Sequence, residues 1–128
     1  MKFYISGAMR GIPQGNFPAF NKASDALQRA GYDVYNPTGG RDTPDETVGR
    51  SEAFRAHLKE LLECDAIAVL MGWATSEGAK VEMAAAVAAG LETYAIYPNR
   101  PPAQMLERLT NVNIITSCLL YTSPSPRD

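Results

Sequence analysis

The chain has 128 residues, 45% of them apolar and 20% charged, which suits one domain with a core of its own and is short for two. A net charge of -2 argues against a general nucleic-acid binder, although a helix N-terminus and one arginine can still hold a small anion in an acidic protein. Two cysteines (Cys64, Cys118) and one histidine (His57) make neither a disulfide framework nor a zinc spacing, and no segment resembles a signal peptide or a membrane span, so the reducing cytoplasm is the expected compartment.

The elements follow in chain order. Lys2 to Ser6 reads as a short strand, rich in residues that favour extended chain. Gly7 to Gly15 is a glycine-dense loop, and Asn16 is placed to cap a helix that carries Pro18 in its first turn. Phe20, Ala23, Leu27 and Ala30 repeat at helical spacing, and Gly31 ends that helix. Tyr32 to Tyr35 is a second strand, stopped by Asn36-Pro37. Thr38 to Gly49 is a polar loop in which Thr43-Pro44-Asp45-Glu46 has the form of a capping box and predicts a short helical turn. Ser51 to Cys64 is an amphipathic helix with Phe54, Leu58, Leu61 and Leu62 on one face. Ala66 to Met71 is a continuous apolar run, the pattern of a strand covered on both sides. Gly72 to Gly78 is a loop and Ala79 to Ala89 a helix of small residues closed by Gly90. Thr93 to Tyr97 predicts a strand, Pro102 to Leu109 a helix and Val112 to Thr116 a last strand.

Strands alternating with helices imply an α/β, Rossmann-like or flavodoxin-like three-layer fold around a five-stranded parallel sheet, with strand order 2-1-3-4-5 expected. The domain is taken as residues 1–117, with truncation at its C-terminal end allowed for. Residues 118–128 have no periodicity and a Ser-Pro-Ser-Pro composition, resemble a translated sequencing adapter, and are read as a non-native or disordered tail.

In an open parallel sheet, ligands bind beyond the carboxyl ends of the strands where the strand order reverses. With this order the reversal lies between the first and third strands. The segments leaving them are Ser6-Gly7-Ala8-Met9-Arg10-Gly11 and Gly72-Trp73-Ala74-Thr75-Ser76-Glu77-Gly78. Both are rich in glycine, but neither is a phosphate loop of the nucleoside triphosphatases nor a dinucleotide fingerprint. Arg10 is the one cation of the first loop and suits a phosphate or carboxylate; it equally suits open solvent. Ser76 can cap the third helix, a role compatible with touching an anion there. Trp73 could stack on a base or cover the sheet. Glu82 stands one turn into a helix otherwise almost all Ala, Val and Met, either in water at the helix edge or set for attack on an anomeric carbon. His57 borders the core face of its helix and by position alone is structural, as are Asp65 and Cys64.

Five stretches carry a resemblance. Tyr4 to Gly11, Asn16 to Asn21, Tyr35-Asn36-Pro37, Leu62 to Ile67 and Gly72 to Glu82 are similar to DUF4406, a phage and bacterial domain of unknown function in the nucleoside 2-deoxyribosyltransferase-like superfamily. The likeness runs from Met1 to about Ile96. It implies that Glu82 is the nucleophile at the deoxyribose anomeric carbon. The branch that hydrolyses deoxynucleoside 5′-monophosphates has a Gly-Ser-Ile-Arg-Gly loop, close to Gly7-Ala8-Met9-Arg10-Gly11, and a phosphate-contacting serine that Ser76 matches. The resemblance thus implies a substrate site of Ser6, Gly7, Met9, Arg10, Gly11, Trp73, Ser76 and Gly78, with catalysis by Glu82 and His57. His57 is a departure: it stands roughly where the superfamily carries an Asp, and could replace that Asp as an acid or mark an altered activity.

The expected function is cleavage of the N-glycosidic bond of a 2′-deoxynucleoside 5′-monophosphate, by hydrolysis or base transfer. The rival is a non-catalytic nucleotide-binding or sensing module. Neither cofactor nor metal is expected. The expected partners are a small deoxynucleotide or nucleoside and further copies of the chain, with no nucleic-acid polymer and no membrane.

Overall fold

The computed structural model describes residues 1–110 of the chain. The first strand, β1 (Lys2–Ser6), is buried along almost its whole length, and its alternation sorts the fold into layers. Phe3 and Ile5 face one side, where α1 (Phe17–Arg29) brings Phe20, Ala23 and Leu27. Tyr4 faces the other, where α2 (Arg50–Leu62) brings Leu61 and α3 (Glu77–Ala88) brings Met83 and Ala86. The remaining strands are β2 (Asp33–Tyr35), β3 (Ala66–Val69), β4 (Glu92–Ile96) and β5 (Leu106–Arg108), in the order β2-β1-β3-β4-β5. All four residues of β3 are buried, as the unbroken apolar run predicts for a strand with helices on both faces.

The order is the expected one, but the sheet is not wholly parallel. β5 runs antiparallel to β4, with Tyr94 opposite Arg108 and Ile96 opposite Leu106. The helix predicted over Pro102–Leu109 is a single 3-10 turn, Pro102–Gln104, followed by that strand. The open edge of β4 then captures the returning chain: the Tyr97 amide donates to the Met105 carbonyl at 2.8 Å and the Leu109 amide to the Thr93 carbonyl at 2.8 Å. The strand expected at Val112–Thr116 and the tail 118–128 lie outside the described residues.

Three local expectations are also corrected. Asn16 sits in the left-handed region (φ 65°) and does not cap α1 through its side chain; its Nδ2 donates to the Ala8 carbonyl at 2.9 Å and ties the first loop to the helix. The helical turn expected from Thr43–Glu46 is a single turn that does not extend: the Val48 amide donates to the Asp45 carbonyl at 3.4 Å and the Asp45 carboxylate accepts from the amide and the hydroxyl of Thr47. On α2, Leu61 is buried but Leu62 is 51% exposed, so the apolar face is narrower than its spacing suggests. Asp65 proves structural as expected, accepting from the Lys2 amide at 2.7 Å where β1 and β3 begin. No helix among the described residues is long and apolar enough to cross a membrane.

Candidate functional site

β1 and β3 are neighbours in parallel register, with Ser6 opposite Val69, so the loops that follow them leave the same end of the sheet side by side. Gly7 makes that closeness possible. A Cβ on it would stand 2.8 Å from Leu70 Cδ1 and 3.0 Å from Leu70 Cβ, closer than packed carbons approach. The third loop ends in Ser76, whose Oγ accepts from the Ala79 amide at 3.1 Å and starts α3 as an N-cap.

One turn into α3, Glu82 turns toward β1 and is only 8% exposed. Both of its oxygens are held. The Tyr4 hydroxyl donates to Oε2 at 2.6 Å and the Ser6 hydroxyl to Oε1 at 2.6 Å. Tyr4 and Ser6 stand two residues apart on one strand, so the pleat points both at the same helix. Burial raises the Glu82 pKa above the ordinary carboxylate value, and the Ser6 and Tyr4 hydrogen bonds pull it part of the way back. The alternative in which Glu82 sits in water at the helix edge is therefore excluded. Tyr4 is pushed far above the usual phenol range, by its own burial first and by the Glu82 charge second, so it stays protonated and a donor.

His57 lies beside this group. Its Nδ1 is 3.1 Å from the Tyr35 hydroxyl at the carboxyl end of β2, and the Tyr35 ring stacks on Tyr4 with centroids 5.5 Å apart and planes 12° from parallel. An aromatic and polar run thus joins His57, Tyr35, Tyr4, Glu82 and Ser6 across α2, β2, β1 and α3. Burial lowers the His57 pKa, and the nearby Arg41 guanidinium lowers it further.

The other expected residues divide. Arg10 is exposed and makes no hydrogen bond or ion pair with the described residues. Gly11 takes a left-handed turn (φ 78°) beside it. Gly78 faces Phe54 of α2, in ordinary contact distance were it to carry a Cβ. Met9 packs toward the α1 face of the sheet, on the other side from Glu82. Trp73 is half-buried against the core under α2 and α3 and lines a cavity of about 320 Å³ with Tyr97 and Leu109, at the ends of β3 and β4. A more open polar cavity of about 660 Å³ lies between α1 and β2, lined by Asn21, Asp25 and Asn36 among others. Glu82 lines neither of these two cavities.

Tyr4 and Tyr35 are the residues that sequence reasoning passed over, since tyrosine in a strand reads as ordinary β-former. The signal that could have found Tyr4 is its alternation: it shares a strand face with Ser6, next to a helix that carries one inward carboxylate. Lys80 is a further surprise, 7% exposed on α3 and paired with the exposed Glu77 at 2.8 Å.

A search of curated proteins finds no match to the chain. The profile of a family described as a domain of unknown function, DUF4406, matches residues 1–95, a span that includes Tyr4, Ser6, His57 and Glu82, and the chain belongs to that family.

Proposed function

We propose that this protein cleaves the N-glycosidic bond of a 2′-deoxynucleoside 5′-monophosphate, with Glu82 as the nucleophile. The observation that carries the reading is the inward Glu82 carboxylate, one short hydrogen bond on each oxygen, at the strand ends where both glycine-rich loops begin. A carboxylate in hydrogen bonds to two neutral donors keeps lone pairs for attack while its charge is held in place.

In this reading a Glu82 oxygen forms a bond to the anomeric carbon as the bond from that carbon to the base nitrogen breaks. The electron pair of the broken bond leaves with the base, which takes up a proton. Water then attacks the same carbon, loses a proton and frees the carboxylate, giving base and 2-deoxyribose 5-phosphate. If a second base reaches the intermediate before water, the outcome is transfer. The transition state resembles an oxocarbenium ion, which a negative oxygen both stabilises and captures. Tyr4 and Ser6 favour the ionised Glu82 against the burial that opposes it. Arg10, whose guanidinium has no hydrogen bond or ion pair among the described residues, and the amino end of α3 would receive the phosphate. Ser76 fits the same role, because its oxygen accepts from Ala79 while its own proton has no acceptor among the described residues.

Incubation with a panel of deoxynucleoside monophosphates should release free base. Glu82→Gln, which keeps shape but loses charge, should abolish release in single turnover while a binding titration on the same sample stays near wild type. Wild-type release by Glu82→Gln would sink the mechanism. One observation favours a second reading, a nucleotide-binding module without turnover: both Glu82 oxygens are already engaged and little of the side chain is open. Tight nucleotide binding with no base released by the wild-type protein would select it.

A further inference from the structure

We propose that Tyr35 is a positioning residue that holds the His57 ring as its Nε2–H tautomer, so that His57 meets the ligand as a hydrogen-bond donor. The observation is the 3.1 Å contact between the Tyr35 hydroxyl, on the last residue of β2, and Nδ1 of His57 on α2. A neutral imidazole has one bare nitrogen and one N–H, and the partner held by one nitrogen decides the state of the other. A phenol is the better donor of this pair, since its oxygen lone pairs are drawn into the ring, and a bare imidazole nitrogen is the better acceptor. Tyr35 therefore donates to Nδ1 and the ring proton sits on Nε2. The reverse arrangement would leave the Tyr35 proton with only water to take it, because its hydroxyl makes no other hydrogen bond among the described residues.

The tyrosine is itself fixed. Its ring lies nearly parallel to that of Tyr4, which is fully buried and bonded to Glu82, so the hydroxyl is delivered to one place. The charged and titratable groups around the pair are Arg41 from the loop after β2, which acts on His57, and Glu60 of α2, Cys64 and Glu82 of α3, which act on Tyr35. Burial first and Arg41 second lower the His57 pKa and so favour the uncharged ring. With Nδ1 taken, the half-buried ring has only its Nε2–H left to offer. Under the glycosidic reading above, on which this last step rests, the acceptor is a ring nitrogen or carbonyl of the departing base. A donor there stabilises the negative charge that grows on the base as its bond to the sugar breaks, and the base takes its proton from water. The tautomer itself does not depend on that reading.

His57 is the only histidine in the chain, so its ring gives a single imidazole spectrum. Long-range proton–nitrogen correlation on nitrogen-15-labelled protein, at about pH 8 where an ordinary imidazole is neutral, reads which nitrogen is protonated. The wild type should show a bare Nδ1 and a protonated Nε2. Tyr35→Phe keeps the stacked ring and removes only the hydroxyl; it should move both nitrogens toward the averaged position of a tautomer mixture. In a Glu82→Gln background, which stops turnover, adding deoxynucleoside monophosphate should shift the Nε2 signal. Tyr35→Phe should there weaken binding about two- to tenfold, the range for losing one oriented hydrogen bond. A protonated Nδ1 in the wild type, or a spectrum unchanged by Tyr35→Phe, overturns the proposal. Absence of base release by the wild type, with the Nε2–H signature present, supports Tyr35 as the positioning residue and removes the glycosidic reading alone.

Discussion

A carboxylate taken out of water becomes harder to ionise, and at Glu82 the Tyr4 and Ser6 hydroxyls only partly reverse that effect. The same imbalance has a consequence for stability. The folded pKa of Glu82 lies above its unfolded value of 4.5, so the folded state binds this proton more tightly. Its favourable contribution is fully present below the unfolded pKa and is lost as pH rises through the folded one. Glu82→Gln carries no charge at any pH and should escape that loss. Thermal melts should place Glu82→Gln at or above the wild-type midpoint near neutral pH. As the pH is lowered toward 4.5, the difference should shift in favour of the wild type. A variant that melts well below wild type at neutral pH, with the gap closing in acid, would show that the ionised form stabilises the fold, against this account. Cys64 on the same face illustrates a bland outcome of burial: its thiol is pushed up to about 11 and donates to the Glu60 carbonyl, so it is an inert part of the core.

At the scale of elements, the two loops depend on how closely β1 and β3 end together. Gly7→Ala forces a methyl group to within 2.8 Å of Leu70 Cδ1 and 3.0 Å of its Cβ, and the second contact cannot be relieved by rotating the leucine. Overpacking of this kind costs about 1–3 kcal/mol, so the denaturant midpoint should fall accordingly. Leu70→Ala costs stability by itself, but in the double variant the two losses should be less than additive, because Leu70→Ala removes the Cδ1 and Cγ contacts and leaves only the one to Cβ. Strict additivity in that cycle would mean that Gly7 serves the loop conformation and not the contact. The elements themselves follow from local chemistry. α1 ends at Gly31, which takes φ +94°, and α3 begins at Ser76, each where the sequence signals it. At Asp45–Val48 the chain makes one turn, tied by Asp45 and Thr47, and does not extend into a helix.

For the whole molecule, the phosphate prediction is the one that needs several elements at once, because Arg10 follows β1 and Ser76 precedes α3. A deoxynucleoside monophosphate should bind more tightly than its nucleoside, and Arg10→Ala should cost the nucleotide roughly tenfold or more in affinity while leaving the nucleoside unchanged. Equal calorimetric affinities for the two ligands would remove the anion site. Much of the architecture was legible beforehand. Periods of two and near 3.6 residues, with Gly, Pro and Ser as punctuation, marked the first four strands and three helices, because those patterns arise from sterics and burial within a few residues. Alternation of strand and helix was enough to expect the order β2-β1-β3-β4 and, with it, which loops meet. The chain beyond β4 was not legible in that way: Pro102–Leu109 has acceptable helical spacing, and only the unpaired edge of β4 made it a returning antiparallel strand. The site divides along the same line. Glu82 stood out by itself as a single carboxylate among alanines, a property of composition. Its partners did not, since Tyr4 lies 78 residues away and Ser6 76, and no local pattern encodes a contact at that distance. Whether Glu82 meets water or two hydroxyls, and whether His57 faces solvent or Tyr35, was decided when packing brought α2 and α3 onto one face of the sheet. The pKa of a buried group is set by whatever surrounds it in space.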